Sequence, residues 1–564
     1  MNSWSKRGVS LLLCLLLIFS TAGSSLAADG KKTTSDKVKD TVKTGVSETK
    51  QQTKQILEPE LFVSAAPEAG LTNRVRVTMD PLTHIGTLYL PGTVDPEKLT
   101  YSWSDKSMSL SKEGVPCANG SAPVAPAGAG IRYVIKRGEK SEEWTLNTCK
   151  GSPDVRPMFL EIDESKGRMD LMNWDDDHET PCYGTVALGG EPRYMSIKGR
   201  GNSTWKKLWK KPYNITLYGD PDFQKKTKAE FLPGVFSKKW TLLANYYDNS
   251  LMRNKIAQDL ACDLGIGLPS DFVDVYMNGE YLGNYLLSPK KDSFAPKDGY
   301  FLEFDNQERE EDQFKLPGIL APGDHNRITI RDIGSGAEKA GENKKTIRKW
   351  FYKAWKAALT ADSEEYQNYF DLDSWAKMYL MYEVSKTYSC YSGSLLMHRD
   401  GLTESDKLIA GPAWDYDVDF GRTLHKFASG VSIPDQVTAE GWYVENVGAE
   451  IDSLPANLLQ ALWNHKSFQE AVKKTYRENQ TAFAKVSDNV LAQQERCRDS
   501  ALMNNVKWGT NSICGEYVVL PDTMRALGTA PYQLNYEVTT TWDNYVHNLR
   551  EYCVKRVLWM TDHL

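Results

Sequence analysis

Hydrophobic and polar positions change rhythm twice along the chain. From residue 61 to about 150, short β-rich runs alternate with turn clusters. Residues 75–77, 86–90, 99–103, 131–135 and 143–146 each read as a strand. That spacing predicts a small all-β sandwich over 61–150, immunoglobulin-like in broad class. It holds no cluster of chemically active side chains, so it reads as a spacer or adhesion module, or as structural filler.

From residue 157 to the end the pattern is mixed α and β. Strands are predicted at 158–162, 194–198, 213–217, 240–243, 271–277 and 281–288, and helices at 250–264, 344–361 and 373–389. The tail is helical by period over 454–503 and 541–564, so residues 440–564 read as mostly helical. Residues 305–345 are polar, with several glycines and prolines, and read as a loop or insertion.

The first 28 residues fit a secretory signal. Lys6 and Arg7 precede an apolar run at 9–19, and Ser25-Leu26-Ala27 forms a small-x-small end. Residues 29–60 are rich in Lys, Thr, Asp, Ser and Gln and read as a flexible charged linker. No later apolar stretch is long enough for a membrane helix, so the expected location is secreted or cell-surface, with no stable membrane span after cleavage.

Composition narrows the classes. A chain of 564 residues is too long for one core. Its formal charge of −6 argues against a nucleic-acid binder. Of nine cysteines, Cys14 lies in the signal, and the even remainder permits disulfides in an exported chain. Cys117 with Cys149 is the first candidate pair and Cys497 with Cys514 the second, while Cys182, Cys262, Cys390 and Cys553 cannot be paired from spacing. The absence of CxxC spacing disfavours a zinc site.

Three clusters could carry chemistry. Gly199-Arg200-Gly201-Asn202-Ser203-Thr204-Trp205, followed by Lys210-Lys211-Pro212-Tyr213, has the makings of a phosphate cradle. Its glycines allow close backbone approach and its cations neutralise charge. No Walker pattern accompanies it, and a glycine-rich turn with solvated lysines fits the same letters. In the second cluster, residues 242–254, Asn249 or Ser250 can cap the following helix, and Arg253 stands in its first turn. A cation there needs an anionic partner. Asp248 can be that partner, and Arg253 can also face a ligand phosphate. The third, Trp414-Asp415-Tyr416-Asp417-Val418-Asp419-Phe420-Gly421, alternates three aspartates between apolar residues. Such carboxylates repel unless a cation lies between them, and Mg²⁺ takes oxygen ligands of this kind. A solvated acidic loop is the plainer alternative.

Together these clusters resemble the CotH family of atypical kinases first known from spore coats. The matching pieces run in family order: GRGNSTW at Gly199, KKPYNITL at Lys210, KKWTLLANYYDNSLMRNKIAQDL at Lys238, VDVYMNGEYLGNYLL at Val273, GYFLEFDN at Gly299 and LIAGPAWDYDVDFG at Leu408. SALMNNVKWG at Ser500 and VKRVLWMTDHL at Val554 follow. The resemblance covers about 157–564 and implies an α+β, atypical protein-kinase-like body with a helical C-terminal part. It also implies ATP with Mg²⁺ or Mn²⁺ as cofactors, and phosphate transfer to Ser or Thr of an unidentified surface, coat or co-exported protein.

Carried over, Asp415 is the main metal ligand and Asp417 a second acid. Arg200, Gly201, Asn202, Ser203 and Lys211 serve the phosphates. Asn245, Asp248 and Arg253 hold the pocket, and Glu303 serves a lysine–glutamate pair. Two departures stand out. Many relatives read E-x-x-K-N-x-D where this chain has Glu383-Val384-Ser385-Lys386-Thr387-Tyr388-Ser389, so Ser389 stands where the catalytic base is expected. A hydroxyl cannot accept a proton as a carboxylate does. Ser288-Pro289-Lys290 also lacks a glutamate that relatives often carry. The two readings are therefore an active exported kinase and a scaffold or binding protein that retains the fold.

Overall fold

The computed structural model describes residues 59–174, 178–305, 312–316, 327–360, 362–389, 393–424, 438–446, 454–510, 514–519, 532–535 and 541–564. The signal and most of the linker read from the sequence lie outside them. No helix among the described residues is long and apolar enough to cross a membrane. The described residues divide into two compact units: those up to Lys150 with Asn278–Tyr281, and the remainder.

In the N-terminal unit, strands form where β-branched and aromatic residues alternate with polar ones. A four-stranded sheet orders Val75–Arg76, Leu61–Val63, Thr100–Trp103 and Ala122–Pro123. A six-stranded sheet orders Thr78–Asp80, Ile85–Leu90, Lys140–Lys150, Gly130–Arg137, Met108–Lys112 and Val115–Cys117. Trp144, Tyr101 and Tyr133 are fully buried, and the two tyrosine rings meet edge to face at 6.0 Å. The Cys117–Cys149 disulfide is not formed, and both cysteines are free. Their strands lie three positions apart in the six-stranded sheet. At about 4.8 Å per strand, that far exceeds the roughly 7 Å Cα separation a disulfide tolerates.

The second unit begins with a closed barrel of seven strands. They are β1 (Arg156–Ile162), β2 (Cys182–Ala187), β3 (Arg193–Gly199), β4 (Tyr213–Tyr218), β5 (Lys239–Leu243), β6 (Asp271–Met277) and β7 (Glu280–Pro289), in the order β1-β2-β3-β4-β5-β7-β6. Strict alternation explains them. In β4, Tyr213, Ile215 and Leu217 point inward while Asn214, Thr216 and Tyr218 stay half-buried. Met195, Ile197, Trp240, Leu242, Val273, Val275 and Leu287 complete the interior.

Beyond the barrel, a five-stranded sheet orders Gln313–Lys315, Arg327–Ile333, β8 (Tyr300–Asp305), Leu396–Arg399 and Ile409–Ala410. The polar stretch expected to be a loop thus contains two paired strands and a short helix, Ser335–Lys339. The run Arg327-Ile328-Thr329-Ile330 is β-branched, but the glycines and prolines before it mask that signal.

Helices α1 (Arg253–Asp263), α2 (Leu372–Ser385), α3 (Val486–Trp508) and α4 (Trp542–His563) lie in this unit, most of their inward side chains sharing one large apolar core. The second proposed disulfide fails as well: Cys497, on α3, is a buried free thiol.

Candidate functional site

The acidic segment is held from beneath by a helix that is buried although polar. In α1, Arg253, Asn254, Lys255 and Gln258 are all buried. Such burial is tolerable only if each polar group finds a partner, and three of these side chains grip the acidic segment in turn. Gln258 Nε2 donates to Ala413 O at 3.0 Å. Asn254 Oδ1 accepts from Tyr416 N at 2.9 Å. Arg253 Nε donates to Asp419 O at 2.8 Å. The backbone from Ala413 to Asp419 is therefore fixed along its length, and Asp415 takes a left-handed φ of 75° there.

The residues before α1 complete this support. Asn245 donates to Leu251 O and accepts from Asn254, each at 3.0 Å. Asp248, rather than Asn249 or Ser250, receives the first amide of the helix, Arg253 N, at 2.8 Å. Its other oxygen meets the Arg253 guanidinium at 2.6 Å. Burial works against the Asp248 charge, but Arg253 and Arg422 more than offset it and hold the carboxyl below its ordinary value. Arg253 is fully buried. It works as a strut between Asp248 and Asp419.

Of the three alternating aspartates, Asp415 is exposed, Asp417 half-buried and Asp419 buried. The Asp417 carboxyl is pushed up to about 8 by burial and by Asp415 and Asp248, against the pull of Arg200 and Arg422. Asp415 Oδ2 accepts from Ser394 Oγ at 3.2 Å. Asp419 turns away, under the loop that follows α2. Its Oδ1 takes Tyr388 N at 2.7 Å, and its Oδ2 is buried with no hydrogen-bond partner among the described residues. Burial pushes this carboxyl well up, opposed by Tyr388 and Thr387. Ser389 Oγ lies 3.4 Å from Asp415 O, so the expected position of the base does fall beside the acidic segment.

Two cations stand beside the segment's tryptophan. The Arg200 guanidinium lies 5.7 Å from the Trp414 ring and the Lys291 ammonium 5.9 Å from it. Burial pulls Arg200 below its ordinary value, while Asp415, Asp417, Glu303 and Asp292 act to keep it charged. Glu303, on β8, accepts from Lys291 Nζ at 2.6 and 2.8 Å and also binds Arg331. Burial opposes the Glu303 charge, and Lys291 and Arg331 overcome it. Lys291 was not singled out from the sequence, and Trp414 was read only as an apolar flank of the acids. Only the Lys290-Lys291 doublet before a Gly-Tyr-Phe-Leu-Glu strand could have pointed to it.

The rest of the glycine-rich stretch is less committed. Gly201 takes φ 85°, and a Cβ there would meet Thr204 Oγ1 at 2.1 Å. Asn202 and Ser203 are exposed. Lys211 turns from the acids, donating to Trp205 O and standing 5.2 Å from that residue's ring. Its neighbour Lys210 is fully buried, bonded to Ala244 O at 2.8 Å and to Asn284 O.

A second support escaped the sequence reading. Glu383, fully buried at the end of α2, binds Arg556 of α4 at 2.7 Å and takes the amides of Tyr443 and Val444 at 2.9 Å each. It anchors the turn that leads to Thr387 and Ser389.

Among the described residues no group of three or more His, Cys, Asp or Glu side chains is placed to hold a metal. An ion between Asp415 and Asp417 would have to complete its shell with oxygens from elsewhere. Two repelling carboxylates beside two cations suit a metal bound together with an anion.

The family model described as CotH kinase protein matches residues 197–560. Inner spore coat protein H of Bacillus subtilis (strain 168) is 25% identical over 344 residues, which cover 59% of this chain and 84% of that protein.

Proposed function

The chain belongs to the CotH kinase protein family, and on that premise we propose that it is an exported or surface protein that binds ATP with Mg²⁺ or Mn²⁺. In this reading it transfers phosphate to Ser or Thr of a surface, coat or co-exported protein, using a kinase-like body. The two-sheet N-terminal unit, of immunoglobulin-like type, serves as its spacer. The observation that carries the reading is Arg200 standing in the field of Asp415 and Asp417, with Lys291 beside the same Trp414 ring.

Asp415 and Asp417 would hold the metal, which when bound neutralises phosphate oxygens and spreads developing charge. Arg200 and Lys291 offer fixed donors to the same oxygens. Glu303 keeps Lys291 in place, and the α1 side chains keep the acids in place, so little reorganisation is needed when charge develops. Trp414, itself 5% exposed, shields the cations from water.

Calorimetry tests this. The full chain should bind ATP only with divalent metal, and Asp415→Ala should abolish binding. Wild-type protein that takes up no ATP with either metal would sink the reading. A second reading, a scaffold that binds nucleotide without turnover, is favoured by Ser389, whose hydroxyl replaces the expected base. The coat location of the B. subtilis relative's name fits either reading. Labelled ATP with co-exported proteins separates them, since only the kinase labels an acceptor in an Asp415-dependent way.

A further inference from the structure

Residues 225–239 hold five lysines and one glutamate. They build a hairpin, Ala229–Leu232 with Val235–Ser237, turning at Pro233-Gly234 with φ 74° at the glycine. One face is buried: Ala229, Phe231, Leu232 and Ser237 pack inward, Phe231 lying 5.1 Å from Trp240 of β5. The pairing of Ala229 with Ser237 sets Lys228 and Lys238 side by side, and the pairing of Glu230 with Phe236 sets those two side by side. Glu230 is occupied with its own turn, accepting from Gly234 N at 2.7 Å. Phe236 is 61% exposed.

Backbone bonds draw the other lysines to the same place. Lys226 bridges Tyr218, Lys238 O accepts from Leu217 N at 2.9 Å, and Lys239 O accepts from Lys290 N at 3.0 Å. Lys225, Lys226, Lys228 and Lys238 are exposed and Lys239 partly so. No salt bridge is formed by any of the five among the described residues; Asp220 acts on Lys225, and Asp292 and Asp332 on Lys239, which leaves Lys226, Lys228 and Lys238 at the middle of the ridge. Like charges set side by side on a hairpin destabilise it, so a cluster of this kind calls for an external anion. The ridge ends at Lys290, whose neighbour Lys291 stands at Trp414 in the candidate site.

We propose that this lysine ridge, with Phe236 at its crest, docks an acidic, serine- or threonine-bearing segment of the protein that the site acts on. The proposal rests on the phosphotransfer reading. A polypeptide fits better than the alternatives. Nucleic acid fits poorly with a chain whose formal charge is −6. An anionic lipid surface would meet only the exposed crest, whereas the ridge continues to Lys239 and Lys290, which are partly buried and within reach of a flexible chain.

The test uses the full chain and a fluorescent peptide of alternating Glu and Ser, read by anisotropy without ATP. Wild type should bind it, less well as salt rises. The variant K225E/K226E/K228E/K238E should bind about tenfold more weakly or worse, since four exposed attractions are replaced by repulsions. The matching Lys→Gln variant guards against misfolding and should fall between the two. Metal-dependent ATP binding should be unchanged in both. No peptide binding by wild type, or equal binding by a folded Gln variant, would overturn the proposal. So would ridge-dependent co-sedimentation with phosphatidylglycerol vesicles that the peptide fails to compete. Loss of wild-type ATP binding with peptide binding intact would instead count against the nucleotide reading alone.

Discussion

Two sets of charged side chains in the C-terminal unit are built on opposite terms. Beneath the site, two buried carboxylates are fully answered: Glu383 by Arg556 and two amides, Asp248 by Arg253 and a helix amide. At the site itself, Asp415 and Asp417 face each other while Arg200 and Lys291 gather at one indole ring. Closed sets hold a shape. An open set of like charges is costly to fold and becomes favourable only when a ligand supplies the missing counter-charge. The contrast separates the residues that position from those that bind.

The largest effect should come from breaking a closed set. Glu383→Ala leaves Arg556 buried and unpaired and should lower unfolding free energy by about 3–5 kcal/mol. Urea melts read this directly. A loss under about 1 kcal/mol would show that the pair is not the anchor its burial implies.

The open set should respond with the opposite sign. Asp417 has its folded value raised to about 8, so between the ordinary carboxylate range near 4 and pH 8 the native state holds more protons than the unfolded one. Stability from this group is therefore present below pH 4 and is lost progressively as pH rises to 8. Asp417→Asn should stabilise the metal-free protein by on the order of 1–3 kcal/mol at pH 8, after discount for partial exposure, and by almost nothing at pH 4. Denaturation midpoints measured across that range check both size and sign. A gain independent of pH would mean that charge repulsion is not the cause.

Much of the frame was legible because barrel strands alternate so regularly. The helices from residue 454 onward were legible for a similar reason, their apolar period being long and uninterrupted. β2 was missed because Cys182-Tyr183-Gly184-Thr185-Val186-Ala187 puts small residues at the inward positions. β8 was overlooked as a strand because all six of its residues are buried and no alternation remains. At the site, the acids and Arg200 could be read locally. Lys291 could not, since its role depends on Glu303 across a turn, and Arg556 meets Glu383 from 173 residues away. The helix α1 was expected, but the burial of its polar residues was not legible, since the acidic segment that takes their hydrogen bonds lies more than 150 residues away.

The smallest expected difference is also the sharpest test of which cations belong to the open set. Arg200 and Lys211 were equal candidates from the sequence, both lying in or just after the glycine-rich stretch. The structure places Arg200 in the field of Asp415 and Asp417, whereas Lys211 is spent on Trp205. Arg200→Ala should therefore weaken metal-dependent ATP binding by about tenfold or more, the worth of one charge-assisted contact. Lys211→Ala should stay within about twofold, because it removes only a partly screened charge at a distance. Calorimetric titration of both variants decides it. Equal losses would mean that Lys211 swings to the phosphates when nucleotide binds, and the line between positioning and binding residues would then have to move to include the turn after Trp205.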